Sequence, residues 1–155
     1  MGLGYMTGED YADIATAGSF TELAEIALRI LERMGDGVGM VCGPISTGGL
    51  GDVRKNLERF NQAIETLEGL GNGVFNQMPF EDAIQRLRDW NVPYDERILT
   101  EFYAVIFKSG RIEKQYFIHD WPTSYGSTWE RRQAAERGSE IIDLDETHHP
   151  LPRAA

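Results

Sequence analysis

The sequence predicts an α/β fold: a flavodoxin-like three-layer sandwich with a parallel sheet of four or five strands and an extra N-terminal helix. Two observations carry that prediction. Short apolar runs closed by glycine alternate with longer stretches in which apolar residues recur every three to four positions. Such alternation implies right-handed crossovers, and therefore a parallel sheet with helices on both faces. The second observation is size, because 155 residues build one core of ordinary depth and leave too little chain for two.

Residues 1–18 carry glycines and mixed polar residues with no period, and read as an arm or irregular cap. Ser19 and Glu22 have capping-box spacing. Leu23, Ile26, Ala27, Ile30, Leu31 and Met34 then mark a helical stripe that Gly35 and Gly37 end. "VGMVCG" is short, apolar and bounded by glycine, as a buried central strand should be. Beyond a glycine-dense loop, Val53, Leu57, Phe60, Ile64, Leu67 and Leu70 predict a helix stopped by Gly71 and Gly73. "GVFNQ" predicts a second strand. Pro79 opens a short helix with Ala83, Ile84 and Leu87, and Ile98, Leu99, Phe102, Tyr103, Ile106 and Phe107 line a further one. "QYFIHD" predicts the third strand with His119 inside it, residues 127–137 a helix closed by Gly138, and "EIIDLD" the fourth strand. Residues 19–145 thus form one domain, and 146–155 a proline-containing tail outside the core in which His148 and His149 are solvated.

A formal net charge of −10 argues against nucleic-acid polymers and anionic membranes as partners, since both demand a basic surface. No apolar run approaches the roughly 20 residues of a membrane-spanning helix, and no basic stretch leads into an apolar segment as a secretory signal requires. The single cysteine, Cys42, sits in an apolar run and reads as a small buried hydrophobe. Cytoplasmic location is the resulting expectation. Histidine and cysteine spacing offers no zinc set. The glycine loop ends in no Gly-Lys-Ser/Thr and lacks GxGxxG spacing, so neither a metal nor a cofactor is expected.

With the first strand central, ligands belong in the crevice outside the carboxyl ends of the first and third strands. Two stretches should face each other there: "VCGPISTGGLG" and "DWPTSYGSTWE". Gly43, Gly48, Gly49 and Gly51 in the first imply a backbone that something approaches closely. In the second, Ser127 and Glu130 have capping-box spacing, which is the plain structural alternative to a role in a site. A carboxylate in the opening turn of a helix at a crevice is also well placed for catalysis, and backbone N–H groups and hydroxyls there can hold an anion.

The pairing of "CGPISTGG" with "SYGSTWE", in this order and after these strands, resembles the nucleoside 2-deoxyribosyltransferase superfamily. It is most similar to the 2'-deoxynucleoside 5'-phosphate N-hydrolase branch, and the resemblance spans about residues 38–145. It implies a site built from Gly43, Pro44, Ile45, Gly48 and Gly49 with Ser124, Gly126 and Glu130. Within it Glu130 would be the catalytic carboxylate and Ser124 a phosphate-holding residue. Asp95 matches an acidic position of the family. Lys108, Ser109 and Gly110 stand where relatives carry Ala-Asp, and Ser46 and Thr47 where the phosphate hydrolases tend to carry arginine.

The chemistry so implied is cleavage or exchange at an N-glycosidic bond, whose oxocarbenium-like transition state a carboxylate beside C1' can stabilise or attack. Asp120 and Asp95 compete for the part of a second acid; an exposed structural aspartate is the alternative for each. Ser46, Thr47, Ser124 and Ser127 could hold ribose or phosphate. Asn76, Met78 and Trp121 are further candidates for contact with the substrate. The expected partners are a small nucleoside or nucleotide and further copies of the same chain, as a homodimer or larger assembly.

Overall fold

A computed structural model describes residues 4–152. In chain order its elements are α1 (Gly8–Thr16), α2 (Phe20–Met34), β1 (Gly39–Cys42), α3 (Val53–Gly69), α4 (Glu81–Leu87), α5 (Ala104–Lys108), β2 (Lys114–Phe117), α6 (Tyr125–Arg137) and β3 (Glu140–Asp143). Tertiary contacts divide the chain into two compact units, one containing residues 37–75 and 112–152, the other residues 4–36 and 76–111.

The first unit holds the sheet. Its three strands are parallel and ordered β1-β2-β3, with Val41 opposite Tyr116 and Tyr116 opposite Ile142. β1 is buried along its whole length although it ends the three-strand order, because the 73–75 segment lies along its other side, whereas β3 is half-buried throughout. Four or five strands are predicted, and the sheet has three. The missing one is "GVFNQ", which makes only a single parallel bridge from Val74 to Gly39, through Gly39 N–H to Gly73 O and Phe75 N–H to Gly39 O. Chemistry just downstream explains the shortfall. The Asn76 side chain accepts from Met78 N–H at 2.9 Å, and Pro79 then enters a 3₁₀ turn (Met78–Phe80), so the extended conformation ends at once. Because the bridge occupies the free edge of β1, the spatial order of the four predicted segments is compatible with a flavodoxin-like arrangement.

Both long helices fall where the apolar stripes put them. α2 is capped by Ser19, whose hydroxyl accepts from Glu22 N–H, and ends at Gly35 with φ 82°. α3 runs from an Asp52 cap to Gly69. Its buried face, however, is Asn56, Arg59, Phe60, Ala63, Ile64 and Leu67, while Val53 is exposed. Over its first two turns the inward positions are therefore polar.

In the second unit, residues 4–18 depart from the arm expected over 1–18, since α1 occupies positions 8–16; residues 1–3 lie outside the described residues. Its sequence lacks a stripe because only Asp10 and Ile14 are buried. What holds it is a reciprocal cap, with Asp10 N–H donating to Thr7 Oγ1 (3.1 Å) and Thr7 N–H to the Asp10 carboxylate (2.9 Å). The same carboxylate receives Arg29 at 2.7 Å and Arg33 at 2.6 Å. The helix predicted over 98–107 begins as a π-helical stretch (Ile98–Tyr103) and continues as α5. Phe102 packs tilted on Phe80 (5.4 Å) and edge-on to Tyr103 (4.8 Å).

The C-terminal segment also departs from prediction. Leu144 is buried and bridges antiparallel to Pro150. His148 is buried too, with φ 68°, whereas His149 is exposed. Residues 153–155 lie outside the described residues.

Candidate functional site

The two motifs do meet in the first unit, at the carboxyl end of the sheet. Gly49 N–H donates to Thr123 Oγ1 at 2.7 Å, Tyr125 N–H to Thr47 Oγ1 at 3.1 Å, and Thr47 Oγ1 lies 3.4 Å from Ser124 Oγ. Topology alone places these loops together, because one follows β1 and the other follows its neighbour β2.

The glycines answer to this contact. Gly48 has φ 65°, and a side-chain carbon there would lie 2.0 Å from the Thr123 carbonyl oxygen. At Gly49 (φ 62°) the same carbon would meet Asn56 Oδ1 at 2.6 Å and Arg59 Nη2 at 3.0 Å. Asn56, almost wholly buried, staples the loop from beneath. Its Oδ1 accepts from Leu50 N–H (2.9 Å), and its Nδ2 donates to the carbonyls of Ile45 (2.9 Å) and Gly48 (3.3 Å). Close approach to the loop backbone is thus made by the protein itself. Pro44 is buried, Ile45 and Thr47 half-buried, and Ser46 exposed.

The start of α6 corrects the predicted capping box. The cap is Ser124, whose hydroxyl accepts from Ser127 N–H, so the helix begins at Tyr125 and Gly126 lies in its first turn. Ser127 turns inward and donates to Trp121 O at 2.8 Å. Glu130 consequently sits in the second turn, beyond reach of the helix end, and on the buried face with Ser127 and Ala134. There its carboxyl receives a hydrogen bond from the thiol of Cys42, the last residue of β1. Gln115 of β2 in turn donates Nε2–H to Cys42 Sγ at 3.5 Å. A polar chain of three buried groups, Gln115, Cys42 and Glu130, therefore crosses from the sheet to α6. Burial pushes the Glu130 carboxyl up to about 8, and the thiol hydrogen bond only partly opposes it. Burial and the neighbouring glutamate also push the Cys42 thiol well above its usual range.

The other proposed acids are engaged. Both oxygens of Asp120 accept from Arg59, at 2.8 and 2.9 Å. Asp95 belongs to the second unit. It binds Arg97 at 2.6 and 3.0 Å and the Asp89 N–H at 2.8 Å, and chiefly through Arg97 its carboxyl drops to about 2. Asn76 and Met78 lie in that unit as well. Trp121 packs edge-on to Phe117 (5.9 Å), and the Arg131 guanidinium lies 4.6 Å from its ring. His119 is exposed two residues past β2, not within a strand.

Among the described residues, no group of three or more His, Cys, Asp or Glu is placed to hold a metal ion, and no helix is long and apolar enough to cross a membrane. Sequence reasoning overlooks Asn56, Arg59 and Gln115. For the first two the one signal is spacing: Asn56, Arg59 and Ala63 share the inward face of α3, so a polar pair on the inward side of an amphipathic helix marks groups with partners to find; Gln115, on β2, has no such signal. The chain matches no protein-family model, no curated protein and no solved structure.

Proposed function

We propose that the chain is a flavodoxin-like α/β enzyme that breaks or exchanges an N-glycosidic bond in a nucleoside or nucleoside monophosphate, with Glu130 as the working carboxyl. The observation that carries the reading is the Glu130 carboxyl itself, buried on α6 and hydrogen-bonded at the carboxyl end of β1, directly before the glycine loop. Ionised, it would offset the positive charge that develops at C1' as the base departs, and low solvent access strengthens that effect. Ser46 and Thr47 would contact the sugar or its phosphate from the rim. Since the carboxylate is the active form and titrates at about 8, turnover should rise with pH and level off above that value. Chromatographic detection of free base from a panel of nucleosides and monophosphates, with and without a second base, tests the reading and separates hydrolysis from transfer. Glu130→Gln should lower turnover by at least about a thousandfold while binding persists. Absence of base release from every wild-type reaction would sink it.

A second reading, a binding module that performs no reaction, is favoured by one observation: Asp120 and Asp95 are both held in ion pairs, which leaves Glu130 without a partner acid. Thermal stabilisation by a nucleotide with no base release would establish this reading instead.

A further inference from the structure

Beyond Glu130, the carboxyl end of the sheet carries a second group of polar side chains. Arg59 and His148 are each more than nine-tenths buried, and Arg59 Nε and His148 Nδ1 are buried without a hydrogen-bond partner. The backbone brings their elements together. Leu144 N–H bonds Phe117 O, which sets the 145–149 turn beside the segment that follows β2. That segment holds Asp120, and Asp120 holds Arg59 of α3. Arg59 and His119 are close enough to His148 to disfavour its protonation, although burial is the larger cause of its lowered pKa.

Of the carboxylates nearby, Asp120 is fully engaged and Asp145 partly so, and the Asp145 charge favours protonation of His148. Both oxygens of Asp120 face Arg59, and one oxygen of Asp145 accepts from Thr147 N–H, Thr147 Oγ1 and His149 N–H within its own turn. What remains unanswered is a guanidinium donor and an imidazole nitrogen.

We propose that Arg59 and His148 form an oxyanion site that takes a tetrahedral phosphate- or sulfate-class group, free or as a terminal phosphomonoester. A donor-only Nε–H calls for an acceptor, and because Arg59 and Asp120 already neutralise one another, the charge of a bound anion would be offset by a proton taken up at His148. The turn that carries His148 is closed at its base by Asp145 N–H to His149 O and Leu151 N–H to Asp143 O. The site does not depend on glycosidic chemistry, so neither proposal stands or falls with the other.

Nuclear magnetic resonance of the histidine side chains in the full-length protein tests it, with inorganic phosphate, sulfate and methyl phosphate as probes. The expected result is a saturable shift of the His148 imidazole. Sulfate does not titrate in this range, so its affinity should rise on going from about pH 7.5 to about pH 6, reporting proton uptake by His148. His148→Asn, which suits the backbone, should weaken binding by about tenfold or more. Methyl phosphate binding as tightly as phosphate identifies a phosphomonoester site; exclusion of the ester identifies a site for the free ion, and either supports the proposal. It is overturned if His148 does not shift with any probe, if affinity is unchanged in His148→Asn, or if only His119 or His149 responds, which would mark an adventitious ion only. The wild-type titration decides the matter even if the variant folds poorly.

Discussion

A carboxyl group stripped of water holds its proton more tightly, and Glu130 is such a group with one soft donor, the Cys42 thiol, for company. Removing the donor should accentuate the effect. Cys42→Ala is expected to raise the Glu130 pKa further above 8, and Cys42→Ser to leave it nearer the native value, as read by carbon-13 resonances of labelled glutamate across a pH series. Asn56 makes a different kind of demand, because three backbone groups depend on its amide. Asn56→Leu keeps the volume but strands those groups, and should destabilise the protein by about 2–4 kcal/mol in denaturant unfolding. Neither partnership is legible in sequence. Cys42 and Glu130 lie on different elements, β1 and α6, and which inward polar residue of α3 meets which loop is decided by tertiary register. The position of Glu130 near the carboxyl end of the sheet follows from topology; its protonation follows from burial, which no local pattern reports.

At the level of elements, apolar periodicity and glycine stops locate α2 and α3 well because each buries a continuous stripe. Periodicity fails for α1, which is fixed by a cap and by ion pairs to Arg29 and Arg33 rather than by a stripe. Asp10→Asn should therefore loosen α1 and lower stability by about 2–4 kcal/mol, with the amides of residues 8–16 losing hydrogen-exchange protection first. It also fails for "GVFNQ", where an apolar run satisfies the strand pattern but Asn76 and Pro79 turn the chain after one bridge. The π-helical start of the 98–107 helix is hidden for another reason: the same apolar residues suit either winding. For the glycine loop a paired substitution separates conformation from contact. Gly51 has φ 77° with nothing within 4 Å of a side-chain carbon, whereas Gly48 adds a 2.0 Å collision with Thr123 O to its own φ of 65°. Gly51→Ala should lower stability by about 1 kcal/mol, and Gly48→Ala by clearly more, in paired thermal melts.

For the molecule as a whole, buried carboxyls whose pKa shifts run in opposite directions set the response to pH. Burial raises Glu81 to about 7, only partly relieved by a hydrogen bond from Gln85, and Glu130 rises to about 8. Both take up protons on folding, so stability declines as pH climbs from 4.5 through these two values. Asp95 acts oppositely: its contribution is complete above 3.8 and is lost as pH falls through about 2. Asp10 behaves likewise; burial pushes its carboxyl up, but Arg33, Thr7 and Arg29 outweigh that and hold it well below the usual range. The melting temperature should therefore peak between roughly pH 4 and 5. Combining Glu81→Gln with Glu130→Gln should flatten the alkaline decline and leave the acid limb unchanged. A decline that persists in the double variant would assign it instead to self-repulsion from the net charge of −10.

The antiparallel bridge between Leu144 and Pro150 reaches further than the turn it closes. Leu151 N–H donates to Asp143 O and Asp145 N–H to His149 O, so residues 149–151 run along the outward margin of β3, with prolines at 150 and 152 that offer no amide hydrogen to a newcomer. An open margin of that kind is where one polypeptide templates another into fibrils. Cutting the chain after Asp145 should accordingly produce a species that sediments as growing aggregates, while the full-length protein stays in the supernatant.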